Sequence, residues 1–281
     1  MLRIKDILSE IEKLAPLPLQ ESFDNAGVQV GNVNQMATGA ILCLDITESV
    51  IEEAIEFGYN LIIAHHPLIF KPLKSLTGSN YIERCVIQAC KNDLVLYAAH
   101  TNLDNAVGGV NYKLAELLGL QHVHILSPQK GNWMKLETED PACDSYTLEK
   151  TLKQAGSGIV GELLDKEDEL FFLQRIKDIL KTDCIRHSLL TGKKVREIAI
   201  CGGSGAFMLP EAIAYGADVF ITGEAKYNDF YDVEEKILLV VAGHFETEIC
   251  TKDIFLDIIS EKFPTFAVQI SNTNTNPVKY L

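Results

Sequence analysis

The sequence has 281 residues, of which 47% are hydrophobic and 23% are charged, and its formal net charge is −14. This composition is typical of a globular protein with room for two domains of ordinary size, or for one large α/β domain with an insertion. The acidic balance disfavours nucleic acid as a partner, because phosphate binding requires clustered lysine and arginine.

The start of the chain does not resemble a targeting segment. Charged and apolar residues alternate at helical spacing in MLRIKDILSEIEKLAP, whereas a signal peptide has a continuous apolar core. No window reaches the roughly 18 consecutive apolar residues that a membrane span requires. We therefore expect a cytoplasmic protein with no membrane partner.

Cysteine usage agrees with a reducing compartment. The cysteines are Cys43, Cys85, Cys90, Cys143, Cys184, Cys201 and Cys250. They are odd in number, scattered, and never spaced as C-x-x-C. The pattern predicts reduced core thiols and disfavours a disulfide framework or a thiolate metal site.

Strands and helices alternate in the first part of the chain. The predicted order is a helix in 1–16, a strand at 40–47, a helix at 49–58, a strand at 59–66, a helix at 81–92, a strand at 94–100 and a helix at 111–119. A Pro-rich turn, APLPLQESFDNAGVQVG, separates the first helix from the first strand. Such alternation indicates βαβ units around a parallel sheet.

Residues 122–194 interrupt this alternation with a polar loop around ETEDPACDS, a helix from Thr147, the glycine-bearing GSGIVGEL and a charged helix. From Val195 the alternation resumes and ends with the strand FAVQIS. We therefore predict an α/β protein with mainly parallel sheets. Its parts are a first α/β lobe at 1–121, a short inserted or linking segment at 122–194, and a second α/β lobe at 195–281.

The second lobe resembles a repeat of the first. EAIEFGYNLIIAHH (53–66) aligns with EAIAYGADVFITGE (211–224) at five of fourteen positions, and LYAAHTNLD (96–104) aligns with VVAGHFETE (240–248). In the second pair, each copy is a strand that ends in histidine with a carboxylate four residues later. Internal duplication and a chance match between two βαβ units both remain open.

Chemistry-bearing side chains follow four predicted strands. They are His65 and His66, His100 with Asp104, Glu224, and His244 with Glu248. Because ligands bind beyond the carboxyl ends of parallel strands, these side chains are expected at the binding edge of the fold. One strand-end histidine alone would more simply be structural, but this coincidence predicts a site for divalent Zn, Fe, Mn, Co or Ni.

The adjacent histidines favour two ions. Neighbouring residues of an extended strand point to opposite faces, so His65 and His66 could bind one ion only if the backbone bends. Two ions about 3.5–4 Å apart, bridged by Asp104 or Glu248, would accept one histidine each. Pro67 restricts His66 to extended or turn geometry, which fixes the direction of the chain beyond the strand.

Three weaker motifs favour structural roles. CGGSG (201–205) could hold a phosphate through its amides, but a plain glycine turn is favoured, since no complete phosphate-binding motif is present. Asp24 and Asn25 could contact the site, but a turn cap is favoured. His122 and His124 are predicted to be surface residues.

Taken together, these motifs resemble the Nif-three-like family of dinuclear-metal hexameric proteins, whose members carry the name GTP cyclohydrolase 1 type 2 homolog. The resemblance rests on FDNAGVQVG (23–31), AHHPLIF (64–70), HTNLD (100–104), ITGE (221–224) and GHFETE (243–248). These motifs occur in order at both ends of the chain, and the resemblance covers roughly 1–120 and 195–281.

The resemblance implies two similar α/β lobes, a toroidal homohexamer and two divalent metal ions per subunit. The metal ligands it implies are His65, His66, Asp104, His244 and Glu248, and His100 beside them is the implied acid or base. Longer members carry a separate ferredoxin-like domain between the lobes, which residues 122–194 are too few to hold complete.

Two functions follow from these residues. The first is a metal-dependent hydrolase, cyclohydrolase-like or phosphoesterase-like, that acts on a nucleotide-like or other small anionic substrate through a metal-activated water. The alternative is a non-enzymatic metal-binding hexamer that acts as a metal chaperone, metal store or regulatory partner of other proteins. Turnover with a bound metal discriminates between them.

Overall fold

The computed structural model describes residues 2–128 and 154–281. Contacts divide the chain into a first unit, Met1–Leu103 with Thr251–Val278, and a second unit, Asp104–Cys250 with Lys279–Leu281. Each unit contains one sheet, so the predicted α/β fold is confirmed. The polar loop predicted around ETEDPACDS, the helix predicted from Thr147 and Cys143 lie outside the described residues.

The strands and helices of the described residues are numbered in chain order. The strands are β1 (Gly27–Val30), β2 (Ala40–Cys43), β3 (Leu61–Ala64), β4 (Val95–Ala98), β5 (Gln121–Pro128), β6 (Gly156–Asp168), β7 (Arg186–His187), β8 (Lys194–Cys201), β9 (Val219–Thr222), β10 (Leu238–Val241) and β11 (Val268–Ile270). The helices are α1 (Ile4–Leu14), α2 (Glu48–Phe57), α3 (Tyr81–Lys91), α4 (Thr101–Asp104), α5 (Val110–Leu117), α6 (Glu169–Leu180), α7 (Leu209–Tyr215), α8 (Asp229–Asp232), α9 (His244–Glu248) and α10 (Thr251–Lys262).

The first unit has a five-stranded sheet in the order β1-β4-β3-β2-β11. The neighbouring strands β4, β3, β2 and β11 are parallel, and β1 pairs antiparallel with β4 at the edge. Every residue of β2, β3 and β4 is buried, as expected for parallel strands covered on both faces. The core packs Ile41, Ile62 and Leu96 of the sheet against α2 and α3.

Local sequence sets the ends of α2, which links β2 to β3. Thr47 begins the helix by accepting a hydrogen bond from the Val50 amide. Gly58 ends it in the left-handed conformation, at φ 70°, which glycine adopts without a steric penalty. The helix and strand predicted from EAIEFGYNLIIAHH are therefore confirmed.

The second unit has a six-stranded sheet in the order β5-β6-β8-β9-β10-β7. Its middle strands β8, β9 and β10 are parallel, and antiparallel neighbours flank them on both sides. Its core packs Phe220 and Leu239 of the sheet against Leu209 and Ala212 of α7. The mainly parallel pairing predicted from the sequence describes the first sheet better than the second.

The two units divide the chain at other positions than the predicted lobes. Residues 251–278 belong to the first unit, because β11 pairs in parallel with β2. Parts of the predicted linking segment 122–194 belong to the second sheet, because β5 pairs with β6 and β6 pairs with β8. Glycines obscured this in the sequence, since they weaken a strand pattern. Gly156 is needed in β6 because a Cβ there would overlap Ser127 O of β5.

The two sheets share one order of elements around their parallel strands. In the first unit, α2 leads into β3, and β4 leads into His100 and α4; in the second unit, α7 leads into β9, and β10 leads into His244 and α9. These are the segments that align in the sequence. The repeat is thus present in the order of elements as well as in the residues.

The cysteines of the described residues agree in part with the predicted core thiols. Cys43, Cys85, Cys201 and Cys250 are buried, whereas Cys90 and Cys184 are exposed, and all six are reduced. Burial raises the pKa of Cys85 to about 11, so that thiol stays protonated. Within 2–128 and 154–281, no helix has the length and apolar content required to cross a membrane.

Candidate metal centre

The first unit brings three histidines together, which we call the histidine cluster: His65, His66 and His100. Each offers one ring nitrogen, and these nitrogens lie within 4.8 Å of one another. His65 and His66 follow β3, and His100 follows β4, the neighbouring parallel strand. The prediction that polar side chains gather at the carboxyl ends of these strands is confirmed for this unit.

The backbone bends after β3, so the rings of His65 and His66 do not point to opposite faces. The strand ends at Ala64, and the His66 amide donates a hydrogen bond to Leu44 O at 3.0 Å. The two ring centroids are 5.0 Å apart. The expectation of opposite-facing rings, on which the sequence argument for two ions depended, is therefore wrong.

Each ring of the histidine cluster is held through its Nδ1 atom. His65 Nδ1 lies 2.8 Å from Ala99 O, His66 Nδ1 lies 2.7 Å from Asp45 Oδ1, and His100 Nδ1 lies 2.8 Å from Asp24 Oδ1. Carbonyl and carboxylate oxygens only accept hydrogen bonds, so Nδ1 carries the proton in each ring. In the neutral imidazole the lone pair is then on Nε2, the arrangement typical of metal-binding histidines.

Asp24, the acceptor at His100, is itself held by several hydrogen bonds. Its side chain is fully buried, and its Oδ2 accepts hydrogen bonds from the amide and hydroxyl of Thr101. Burial would raise the pKa of Asp24, but the hydrogen bonds from His100 and Thr101 and the charge of His100 outweigh burial and lower the pKa to about 2. The turn-cap role favoured for Asp24 was therefore wrong, because its carboxylate orients His100.

Asn25 and Gln29 fix the segment that follows the two adjacent histidines. Asn25 Nδ2 donates a hydrogen bond to Ile69 O at 2.6 Å, and the Ile69 amide donates to Gln29 Oε1 at 3.2 Å. The segment FDNAGVQVG thus makes two sets of contacts near the histidine cluster. Asp24 holds the ring of His100, and Asn25 and Gln29 hold the backbone of Ile69, which follows Pro67.

The second unit brings together a second set of ligand atoms, which we call the mixed cluster: Asp104, His244 and Glu248. Asp104 and Glu248 each offer an oxygen, and these lie within 4.8 Å of one another. His244 Nε2 lies 2.9 Å from Glu248 Oε2. Glu248 is buried, with 4% of its surface exposed.

The ring of His244 is held through its Nδ1 atom, as the rings of the histidine cluster are. Its Nδ1 lies 3.0 Å from Glu224 Oε1, and Glu224 Oε2 accepts a hydrogen bond from Ser204 Oγ at 2.8 Å. Burial raises the pKa of Glu224, but the hydrogen bonds from Ser204 and His244 outweigh it, and the net pKa is lowered. Glu224, which the sequence left open as a ligand, therefore holds the ring of His244.

The contact between His244 and Glu248 suits a cation. With the proton on Nδ1, the Nε2 lone pair faces a carboxylate oxygen, and two acceptors at 2.9 Å require a proton or a metal ion between them. Imidazole nitrogen with carboxylate oxygen is the donor set of borderline divalent metals. The residues of the mixed cluster therefore fit a metal ion.

The CGGSG turn makes room for a neighbouring carboxylate and does not form a phosphate-binding loop. The Gly202 amide donates to Asn111 Oδ1 at 2.9 Å and the Gly203 amide donates to Thr247 Oγ1 at 3.0 Å, so both are used internally. Gly203 has φ +56°, and a Cβ on it would overlap Glu248 Oε1. This glycine lets the carboxylate of Glu248 approach the backbone.

His122 and His124 on β5 are exposed, as predicted.

Asp45 is the functional contact that sequence reasoning missed. It stands two residues after β2, on the same carboxyl edge as His65 and His66, so the strand-end rule applied to β2 would have found it.

The described geometry defines an α/β protein whose strand ends present histidine and carboxylate groups that could hold a metal ion. The chain belongs to the family described as Duf34/NIF3 (NGG1p interacting factor 3), whose model matches residues 2–277. The resemblance drawn from the motifs is thereby confirmed.

Similar proteins carry one recurrent name. The chain is 36% identical to the GTP cyclohydrolase 1 type 2 homolog of Clostridium perfringens over 248 residues, covering 88% of this chain and 87% of that protein. It is 32% identical to the protein of the same name from Lactococcus lactis, with 98% of each chain covered. Among solved structures, Staphylococcus aureus protein SA1388 matches with a TM-score of 0.86 at 28% identity, covering 100% of this chain and 99% of that chain.

Asp24 makes a prediction about stability in acid. Asp24→Asn is expected to lower the free energy of unfolding at neutral pH by on the order of 2 kcal/mol, since a carboxylate pKa lowered from 3.8 to about 2 stabilises the folded state above the unfolded value. Wild type loses this contribution to stability as the pH falls from about 4 to about 2. The variant lacks the carboxylate, so its stability does not show this loss. Urea unfolding at several pH values measures the difference.

The matched control for this experiment is Asp253→Asn, an exposed aspartate of α10 in the same unit. It should keep the wild-type slope of stability against pH. Equal slopes for wild type and Asp24→Asn would contradict the role of the Asp24 carboxylate.

Proposed function

We propose that the chain is a divalent-metal-dependent hydrolase with a two-ion centre. Its ligands are His65, His66, Asp104, His244 and Glu248, as the family resemblance implies. The observation that carries the proposal is the fixed orientation of the histidines, each with Nδ1 against a carbonyl or carboxylate. Five such ligands exceed what one four-coordinate ion takes up with a water, which supports two ions.

Two divalent ions, when bound, lower the pKa of water and polarise the bond to be broken. The residues of the chain supply orientation and proton transfer around that chemistry. His100 keeps its proton on Nδ1 toward Asp24, and its Nε2 lone pair can accept a proton and return it to a leaving atom. The fixed, negatively charged Asp24 stabilises the imidazolium that forms when His100 takes the proton.

The proposed substrate is a nucleotide-like or other small anionic molecule. The relatives' name, GTP cyclohydrolase 1 type 2 homolog, supports hydrolysis of a C–N bond in such a molecule, while the same groups would also serve a phosphoester. We propose further that the protein works in the cytoplasm as a homohexamer with Zn, Fe, Mn, Co or Ni.

Metal removal and restoration test the function. Protein treated with a chelator and then reloaded with each metal is assayed for hydrolysis of nucleotides and other small anions. Turnover is expected only with metal. His100→Gln should lower kcat by about 100-fold or more and leave the metal content unchanged, whereas His124→Gln, at an exposed histidine of β5, should match wild type.

The outcomes separate the candidate roles. Full activity in the metal-free protein would overturn the proposal. Metal loss in His100→Gln would make His100 a ligand, which its place in the histidine cluster allows. Tight metal without turnover would favour the alternative, a non-enzymatic metal-binding protein.

A further inference from the structure

The second unit contains a pocket of about 610 Å³ at the carboxyl ends of its parallel strands. Its lining residues are Arg186, Ser204, Ala206, Phe207, Glu224, Ala225, Lys226 and Asp229. Ser204 follows β8 and Glu224 follows β9, while Arg186 on β7 pairs with Val241 of β10. Its volume is that of a small-molecule site, and its position is where α/β sheets bind ligands.

Two cations line this pocket without ion-pair partners. In the part of the chain that the structure describes, neither Arg186 nor Lys226 has a carboxylate oxygen within 4.0 Å of its side-chain nitrogens. The two acids of the lining are already matched by donors. Glu224 accepts from Ser204 and His244, and Asp229 Oδ2 accepts from the Lys226 amide at 2.6 Å.

The chain has a net charge of −14, so carboxylates outnumber lysine and arginine, yet the pocket brings two cations to one concave surface. Arginine and lysine that face a concave surface are the groups that recognise phosphate and carboxylate anions. The Arg186 guanidinium lies 5.7 Å from the Phe230 ring centroid, a distance at which a cation–π contact restrains it.

An aromatic surface accompanies the cations. Phe207 lines the pocket with 65% of its surface exposed, although a phenylalanine is usually buried. Ala206 and Ala225 add small apolar surface beside it. The lining therefore offers a planar apolar contact together with a place for an anion.

We propose that this pocket binds a small aromatic anion, with the anionic group at Arg186 and Lys226 and the aromatic ring against Phe207. We assign this anion as the substrate of the proposed hydrolase, and that assignment alone rests on the proposed function. Glu224 connects the pocket with the metal centre, since it lines the pocket and holds His244 through Nδ1. A molecule in the pocket is thus connected to His244, a proposed metal ligand, through the side chain of Glu224.

Titration calorimetry with phenyl phosphate as the probe tests the proposal. The full chain is used after metal removal, because a bound metal would itself attract phosphate. One site per chain is expected. Arg186→Met and Lys226→Met, which keep most of the apolar stem, should each weaken binding about tenfold. Phe207→Ala should weaken phenyl phosphate severalfold and leave the weaker binding of inorganic phosphate unchanged.

Lys166→Met is the matched control, because Lys166 is an exposed lysine of β6 in the same unit and does not line the pocket. Its affinity should equal that of wild type, and all four variants should keep the wild-type melting temperature. No binding by wild type, or equal affinities in the pocket variants and the control, would overturn the proposal.

The same proteins distinguish failure of the pocket from failure of the proposed function. If phenyl phosphate binds as expected but no metal supports turnover of any substrate, the pocket stands and the hydrolase falls. If metal-dependent turnover is found and Arg186→Met changes neither KM nor probe affinity, the hydrolase stands and the pocket assignment falls.

Discussion

Glu248→Gln is expected to lower the metal affinity of the protein by more than about 100-fold, beyond the 10–100-fold typical of residues that only orient a ligand. Glu248 is buried, its Oε2 lies 2.9 Å from His244 Nε2, and its carboxylate lies close to Asp104. The substitution keeps the size of the side chain and removes the charge that a divalent ion needs. Elemental analysis after dialysis against each metal measures the loss.

The fold should survive this substitution. The carboxamide can donate to the Nε2 lone pair of His244, so the contact that required a cation becomes an ordinary hydrogen bond. We therefore expect the metal-free variant to unfold at or above the wild-type temperature. This separates a lost ligand from a lost structure.

Glu211→Gln is the control for Glu248→Gln, since Glu211 is an exposed glutamate of α7 in the same unit. It should bind metal as wild type does. Wild-type metal content in Glu248→Gln would remove Glu248 from the ligand set and weaken the proposed two-ion centre.

Short apolar strands made the central sheets predictable from the sequence. The strands AILC, LIIA, VLYA, VFIT and LLVV are buried along their whole length, and a continuous apolar run is what a parallel strand covered on both faces requires. The side chains that follow such strands are restricted to one edge, so the positions of His65, His100 and His244 could be inferred from the same pattern.

Contacts between distant segments were not predictable in this way. β1 lies in a stretch predicted as a turn, and it is a strand because it pairs antiparallel with β4. The glycines of β6 hide a strand whose partners are β5 and β8. In both cases tertiary pairing overrides a weak local preference.

The site shows the same limit. The sequence indicated that histidines and carboxylates gather at strand ends, but not which carboxylate is a candidate metal ligand and which holds a histidine. Glu224 and Asp24 act on the Nδ1 atoms of His244 and His100, and a one-dimensional pattern contains no information about which ring nitrogen faces which oxygen. The bend after Ala64 was likewise hidden, because it depends on the hydrogen bond to Leu44 O.

Gly203→Ala is expected to lower the free energy of unfolding by about 2–4 kcal/mol, the sum of backbone strain and overpacking. The residue has φ +56°, and the added Cβ would overlap Glu248 Oε1. Because the carboxylate of Glu248 must move to make room, metal affinity should fall about tenfold as well. Urea unfolding and metal titration measure the two effects on one protein.

Gly216→Ala isolates the part due to Glu248. Gly216 also has a positive φ, +89°, but a Cβ there would have nothing within 4 Å. It should lose about 1 kcal/mol, from backbone strain alone, and keep its metal affinity. Equal losses of stability and of metal affinity in the two variants would mean that Gly203 serves the turn only. A larger loss of both in Gly203→Ala would mean that this glycine is required for the position of the Glu248 carboxylate.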